Sequence, residues 1–229
     1  MNTHAICHDR EIASASLCDQ IVQILEQAIR RRGEASLVVS GGTSPARFFE
    51  LLSQASLPWH KVSIIPSDER LVPLDSDERN ERMISNALSQ GVAGDAKIVS
   101  LVSDVERPER TEDFANNNLA NIARPFDAVI LGMGSDGHTA SLFPDATNLN
   151  DALASNQLCA IQNVPSQQRV RISLTPSALL SARHLKLLMF GEAKKTVLES
   201  AKLPGPVEQY PVRIALHQRD IPVSIYWAP

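Results

Sequence analysis

The sequence predicts an α/β fold built on a mostly parallel sheet covered by helices. Two observations carry that prediction. Short apolar, β-branched runs alternate along the 229 residues with segments whose apolar positions recur at helical spacing, an order that gives parallel strands joined by helical crossovers. The first three strong runs also end in glycine-rich or polar stretches, where open sheets of this class bind ligands.

The elements follow in order. Leu17, Ile21, Leu25, Ala28 and Ile29 mark one face of a first helix, which Arg30 to Arg32 and Gly33 should end. Ser36 to Ser40 reads as a strand, Gly41-Gly42-Thr43-Ser44 as a loop, and Pro45 as the first position of a helix burying Phe48, Phe49 and Leu52. A strand at Val62 to Pro66 runs into the polar stretch Ser67-Asp68-Glu69-Arg70. A helix near Glu78 to Ser89, a strand around Lys97 to Leu101, a helix around Glu109 to Ala123 and a strand at Ala128 to Leu131 continue the alternation. Beyond them, Gln157 to Val164, Val170 to Leu174, His184 to Phe190 and Val223 to Trp227 read as strands, with helices at Pro176 to Ser181 and Glu192 to Ala201. Asn148-Leu149-Asn150 reads as turn.

Composition narrows the function classes. A net charge of -4 without a basic run argues against a nucleic-acid surface, so small molecules or a second copy of the chain are the expected partners. Cys7, Cys18 and Cys159 are odd in number and form no Cys-x-x-Cys pair, which suits reduced thiols. The amino terminus lacks signal-peptide character and no apolar run reaches membrane-spanning length, so a cytoplasmic protein is expected.

The densest chemistry lies at Ile130 to Pro144. Gly132, Gly134 and Gly137 permit unusual backbone conformations beside His138, whose charge changes near neutral pH. These glycines also match a dinucleotide-binding spacing with Asp151 downstream, but the intervening residues read as turn rather than strand. Met133 breaks the Gly-x-Ser-x-Gly pattern of a nucleophilic serine.

Three loops, Gly41 to Ser44, Ser67 to Arg70 and Gly132 to His138, should converge beyond the strand ends. The first offers backbone N–H groups and hydroxyls at a helix start, suited to a phosphate monoester, and it lacks the lysine of a nucleoside-triphosphate loop. Its alternative reading is a tight turn with Ser44 as helix cap. Asp68, Glu69 and Arg70 offer a base, a charge partner and an oxyanion stabiliser, or else form a solvated charged turn. Arg171 and Lys194 could close on a dianionic phosphate, or be surface charges. Asp136 could orient the His138 ring; the alternative reading is a histidine satisfied by turn backbone. The other histidines, His4, His8, His60, His184 and His217, have no partners at metal-ligand spacing, and no metal is expected.

With these residues in hand, the chain resembles the 6-phosphogluconolactonases, within the broader family that includes the glucosamine-6-phosphate deaminases. The resemblance rests on Ser40 to Pro45, Asp68-Glu69-Arg70-Leu71-Val72-Pro73, Gly132 to Pro144, Arg171-Ile172-Ser173-Leu174-Thr175 and Gly191-Glu192-Ala193-Lys194. It implies a single Rossmann-like α/β domain over residues 1–229, with helices on both faces of its sheet. It further implies hydrolysis of 6-phospho-D-glucono-1,5-lactone without a cofactor. A monomer or homodimer is expected. His138, Arg70, Asp68 and Asp136 would be catalytic. Gly41, Gly42, Thr43, Ser44, Asn80, Gly134, Arg171 and Lys194 would bind substrate.

Arg70 stands where the deaminases have tyrosine, and Leu142-Phe143-Pro144 where they have a glutamate. Thr43-Ser44 replaces the frequent Ser-Thr, and Arg79-Asn80 the usual Ser-Asn. The alternative functions are a deaminase or isomerase using Asp68 as the C2 base, and a sugar-phosphate sensor without turnover.

Overall fold

The computed structural model describes residues 3–6, 9–103, 105, 107 and 110–229. Cys7, His8 and Glu109 lie outside that set, as does the start of the helix expected from Glu109.

Among the described residues, seven parallel strands form the main sheet. In chain order they are β1 (Thr3–Ile6), β2 (Ala35–Val39), β3 (Val62–Pro66), β5 (Lys97–Ile98), β6 (Ala128–Leu131), β9 (Leu185–Phe190) and β10 (Val223–Ala228). Their spatial order is β1-β10-β9-β6-β2-β3-β5. A second, antiparallel sheet joins β4 (Asp68–Arg70), β8 (Arg171–Leu174) and β7 (Cys159–Gln162), in the order β4-β8-β7.

Helices α1 (Arg10–Arg32), α2 (Ala46–Ser53), α3 (Asn80–Leu88) and α4 (Thr111–Ala120) belong to the first half. Helices α5 (Leu149–Ala154), α6 (Pro176–Leu179), α7 (Glu192–Lys202) and α8 (Arg213–Leu216) belong to the second. No helix among the described residues is long and apolar enough to cross a membrane.

Alternation along the central strands sorts the core into two layers, because successive strand side chains point to opposite faces. Leu37 and Val39 of β2, with Ala128 and Ile130 of β6, pack toward α1, α2 and α3, where Leu17, Ile21, Phe48, Phe49 and Ile84 meet them. Val38, Val129 and Leu131 face the other way, against α4, α7 and the second sheet, with Leu119, Leu198, Ile172 and Leu174. Both faces of β2 are therefore dry, which explains a strand that is apolar apart from the buried Ser36. Asp9 caps α1 by accepting from the Ile12 N–H at 2.7 Å, and Gly33, at φ 83°, ends it with a left-handed turn.

Several expectations need correction. Asp68-Glu69-Arg70 is a strand and not a loop, because its backbone pairs with β8 in the second sheet. Residues 157–164 and 170–174 contribute a hairpin-like antiparallel pair, not further parallel strands. Leu149 to Ala154 is a short helix that buries Leu149 and Ala152, where turn was read from its asparagines. Strand β1 and helix α8 were not foreseen. Pro45 is the cap of α2 rather than its first residue, and Ser44 makes no capping hydrogen bond.

Candidate active site

In an open parallel sheet the natural crevice opens where the chain reverses its direction of winding. Here that point is β2. Its successor β3 lies on one side and β6 on the other, so the loops leaving β2 and β6 diverge and leave a gap at the carboxyl ends of the strands. The gap is a cavity of about 240 Å³ lined by Ser40 to Ser44, Asp68, Arg70, Asn80, Gly132 to Gly134, His138, Ala140, Arg171 and Lys194. The three segments singled out in the sequence do converge, the second of them as strand β4, and Asn80, Arg171 and Lys194 reach the same space.

One wall carries the imidazole. The Asp136 carboxylate lies 2.6 Å from His138 Nδ1 and also accepts the His138 backbone N–H at 3.1 Å. With Nδ1 held as donor, Nε2 is the nitrogen left with a lone pair. Burial opposes ionisation of Asp136, but the hydrogen bonds and charge of His138 outweigh it and hold the carboxyl below its ordinary value. Phe143 stacks on the ring, with centroids 3.9 Å apart and planes inclined by 24°.

Gly134 is the residue that lets ring and carboxylate meet. A Cβ there would come within 2.2 Å of His138 Nδ1 and 2.6 Å of Asp136 Oδ1. Ala140, also in the lining, sits at φ 49°, a left-handed conformation that costs a residue with a side chain about 1–2 kcal/mol.

The same cavity is lined by the guanidinium of Arg70. Arg70 Nη1 donates to Asn80 Oδ1 at 2.7 Å and to the Glu78 carbonyl at 2.9 Å, while Asn80 Nδ2 donates back to the Asp68 carbonyl at 2.8 Å. Asp68 itself does not hold Arg70. Its oxygens accept from Ser67 Oγ at 3.0 Å and Ser141 Oγ at 2.6 Å, and Arg171 Nη1 stands 3.7 Å away. Asp68 and Glu69 are buried, which overturns the solvated-turn reading of this segment. The unusual Arg79 turns away from the cavity into the interior, where Nη2 donates to Glu81 Oε2 at 2.6 Å, and Asn80 keeps its place in the lining.

Thr43 and Ser44 precede α2, Lys194 projects from the first turn of α7, and all three line the cavity. Burial pushes Lys194 below the ordinary lysine value, although Asp136 partly offsets it. Burial likewise lowers Arg171, with Asp68 acting in opposition, and Arg171 Nε is buried with no hydrogen-bond partner. Lys194 is half-buried and has no carboxylate within ion-pair distance among the described residues; such a cation is costly, and a bound anion would relieve that cost. The arrangement can therefore hold an anion in the same cavity that presents an imidazole and a guanidinium.

Sequence reasoning missed two contributors. Ser141 secures Asp68 across 73 residues of chain, a pairing with no local signature. Phe143 supports the His138 ring, and its aromatic character beside a glycine-histidine turn was the available signal. Among the described residues, no group of three or more His, Cys, Asp or Glu side chains is disposed to hold a metal ion.

Comparison with known proteins places these features in context. Residues 8–227 match the family model described as glucosamine-6-phosphate isomerases/6-phosphogluconolactonase. The chain is 37% identical over 230 residues to a 6-phosphogluconolactonase of Rhizobium meliloti, covering 100% of this chain and 99% of that protein. It is 36% identical over 223 residues to one of Pseudomonas putida, covering 96% and 90%. The crystal structure of a 6-phosphogluconolactonase from Shewanella baltica superposes with a TM-score of 0.97 at 38% identity, covering 100% of this chain and 98% of that one.

Proposed function

The chain belongs to the glucosamine-6-phosphate isomerases/6-phosphogluconolactonase family, and we propose that it is a carboxylic ester hydrolase that opens 6-phospho-D-glucono-1,5-lactone to 6-phospho-D-gluconate. In metabolism this is the second step of the oxidative pentose phosphate pathway. The observation that carries the reading is the shared cavity, in which His138 and Arg70 face one space that also receives Thr43, Arg171 and Lys194.

His138 Nε2 takes a proton from water, and the resulting hydroxide attacks the lactone carbonyl carbon. Arg70, held by Asn80 and the Glu78 carbonyl, offsets the charge that grows on the carbonyl oxygen. The protonated ring then returns its proton to the lactone ring oxygen as the C–O bond breaks, which regenerates the base. General-base catalysis contributes about 10²–10⁴-fold, and a positioned oxyanion donor about 10²–10³-fold. Asp136 keeps Nδ1 protonated so that Nε2 stays available. Gly41, Gly42, Thr43, Ser44, Arg171 and Lys194 hold the 6-phosphate, so that the distance from phosphate to C1 selects the substrate.

The family's other activity requires a free carboxylate base at C2 of an amino-sugar phosphate. Asp68 is the candidate, and its oxygens are already engaged by Ser67 and Ser141. Phe143 stacks on His138 in the segment where the deaminases carry their glutamate. Both observations favour ester hydrolysis.

The test generates the lactone in situ with glucose-6-phosphate dehydrogenase and follows its disappearance, with the spontaneous rate subtracted. Accelerated loss of the phosphorylated lactone, with little effect on gluconolactone lacking the phosphate, is the expected result. Ammonia release from glucosamine 6-phosphate with no lactone hydrolysis would reverse the assignment.

A further inference from the structure

The Glu69 carboxylate is wholly buried and cannot touch a ligand in the cavity. It nevertheless accepts three backbone N–H groups. Oε1 takes those of Arg70 and Asn80, each at 2.8 Å, and Oε2 takes that of Glu81 at 2.8 Å. Asn80 and Glu81 are the first two residues of α3, and the cap residue Arg79 makes no capping hydrogen bond of its own. The open N–H groups of a helix start need an acceptor, and an anion suits the positive end of its dipole. Glu69 meets that need from a neighbouring strand.

The consequence reaches the site through Asn80. Its backbone hangs from Glu69, its Nδ2 is tied to the Asp68 carbonyl, and its Oδ1 receives Arg70 Nη1. The same Oδ1 lies against Gly41, where a Cβ would stand only 2.1 Å away. One side chain is thus wedged between the guanidinium and the start of the phosphate loop, and the carboxylate beneath fixes its height. The buried Arg79, paired with Glu81, lends compensating charge on the far side.

We infer that Glu69 is a positioning residue that caps α3 from β4 and thereby sets Arg70 and the Gly41 loop at their working separation. This rests on the reading of Arg70 as the carbonyl-oxygen stabiliser. A carboxylate is required because three donors converge on two oxygens. A glutamine would turn an NH2 toward at least one of those N–H groups and push the helix start away.

The experiment is a double-mutant cycle on the intact protein with the phosphorylated lactone as substrate. Glu69→Gln is expected to lower kcat roughly 10- to 100-fold, as displacements of about 1 Å in a reacting constellation do. Combined with Arg70→Ala, it should cost little beyond Arg70→Ala alone. Should Glu69→Gln yield no folded protein, Glu69→Asp keeps the charge, shortens the reach and is expected to give the same non-additive loss.

If Glu69→Gln lowers the melting temperature but turns over like the parent, Glu69 is structural only and the inference falls. Losses that multiply in the double variant overturn it equally. If Arg70→Ala alone leaves turnover undiminished, the proposed chemistry fails first and the inference with it, a result distinct from the other two.

Discussion

The two ends of the parallel sheet each hold a cavity with a buried aspartate among arginines, and they differ in what those groups have left to offer. At the amino end, Asp127 is paired with Arg32 and lies 3.5 Å from Arg183, and it accepts the Ser36 N–H at 2.9 Å. The other cations around that space, Lys61, Lys97 and Arg124, face solvent. At the carboxyl end, Arg171 and Lys194 are half-buried, and neither Lys194 nor Arg70 has a carboxylate within ion-pair distance among the described residues. The amino-end cavity is the larger, about 360 Å³ against 240 Å³. Size does not distinguish a site. Charge withheld from water and left unpaired does.

The contrast breaks most sharply at the imidazole. His138→Ala should reduce kcat by about 10²–10⁴-fold with little change in KM, measured on in-situ lactone after background subtraction. Undiminished turnover would move the chemistry away from the carboxyl-end cavity. Next in size is Lys194→Ala. Loss of a charge-assisted contact of about 1.5–3 kcal/mol should raise KM for the phosphorylated lactone on the order of 10- to 100-fold and leave the unphosphorylated one unaffected. Because burial lowers the Lys194 pKa, the parent's phosphate-dependent affinity should decline, as pH rises, sooner than an ordinary lysine would dictate. A KM flat through that range would remove Lys194 from the anion site.

The amino end should respond in the opposite sense. Asp127→Asn should leave kcat and KM unchanged while costing about 1–3 kcal/mol in chemical denaturation, toward the low end because Arg32 is 36% exposed. Smallest of all, Lys97→Ala should alter neither turnover nor stability by more than about 0.5 kcal/mol. A loss of activity in either variant would show that the two ends are coupled.

Much of this molecule was legible in its residues. Short apolar, β-branched runs located β2, β3 and β6, and the segments after them located the cavity. Asp68 to Arg70 was misread because strand character there comes from pairing with β8, about a hundred residues away, and not from apolar side chains. Leu149 to Ala154 was misread because burial of Leu149 and Ala152 outweighs the turn preference of the asparagines around them. In the site, His138 and Asp136 are neighbours in sequence and could be paired on paper. The link from Ser141 to Asp68, and the burial of Arg79 away from the cavity, depend on tertiary contacts without local signals.

Ala140 keeps a methyl group where glycine would be more comfortable. Replacement by glycine would relax the backbone but widen the range of unfolded conformations, two opposing effects of about 1 kcal/mol each. Melting temperature would then be a blind instrument at this position, and only turnover would register that the wall beside the imidazole had softened. A screen that ranks variants at this position by heat resistance would therefore not separate Ala140 from its glycine replacement.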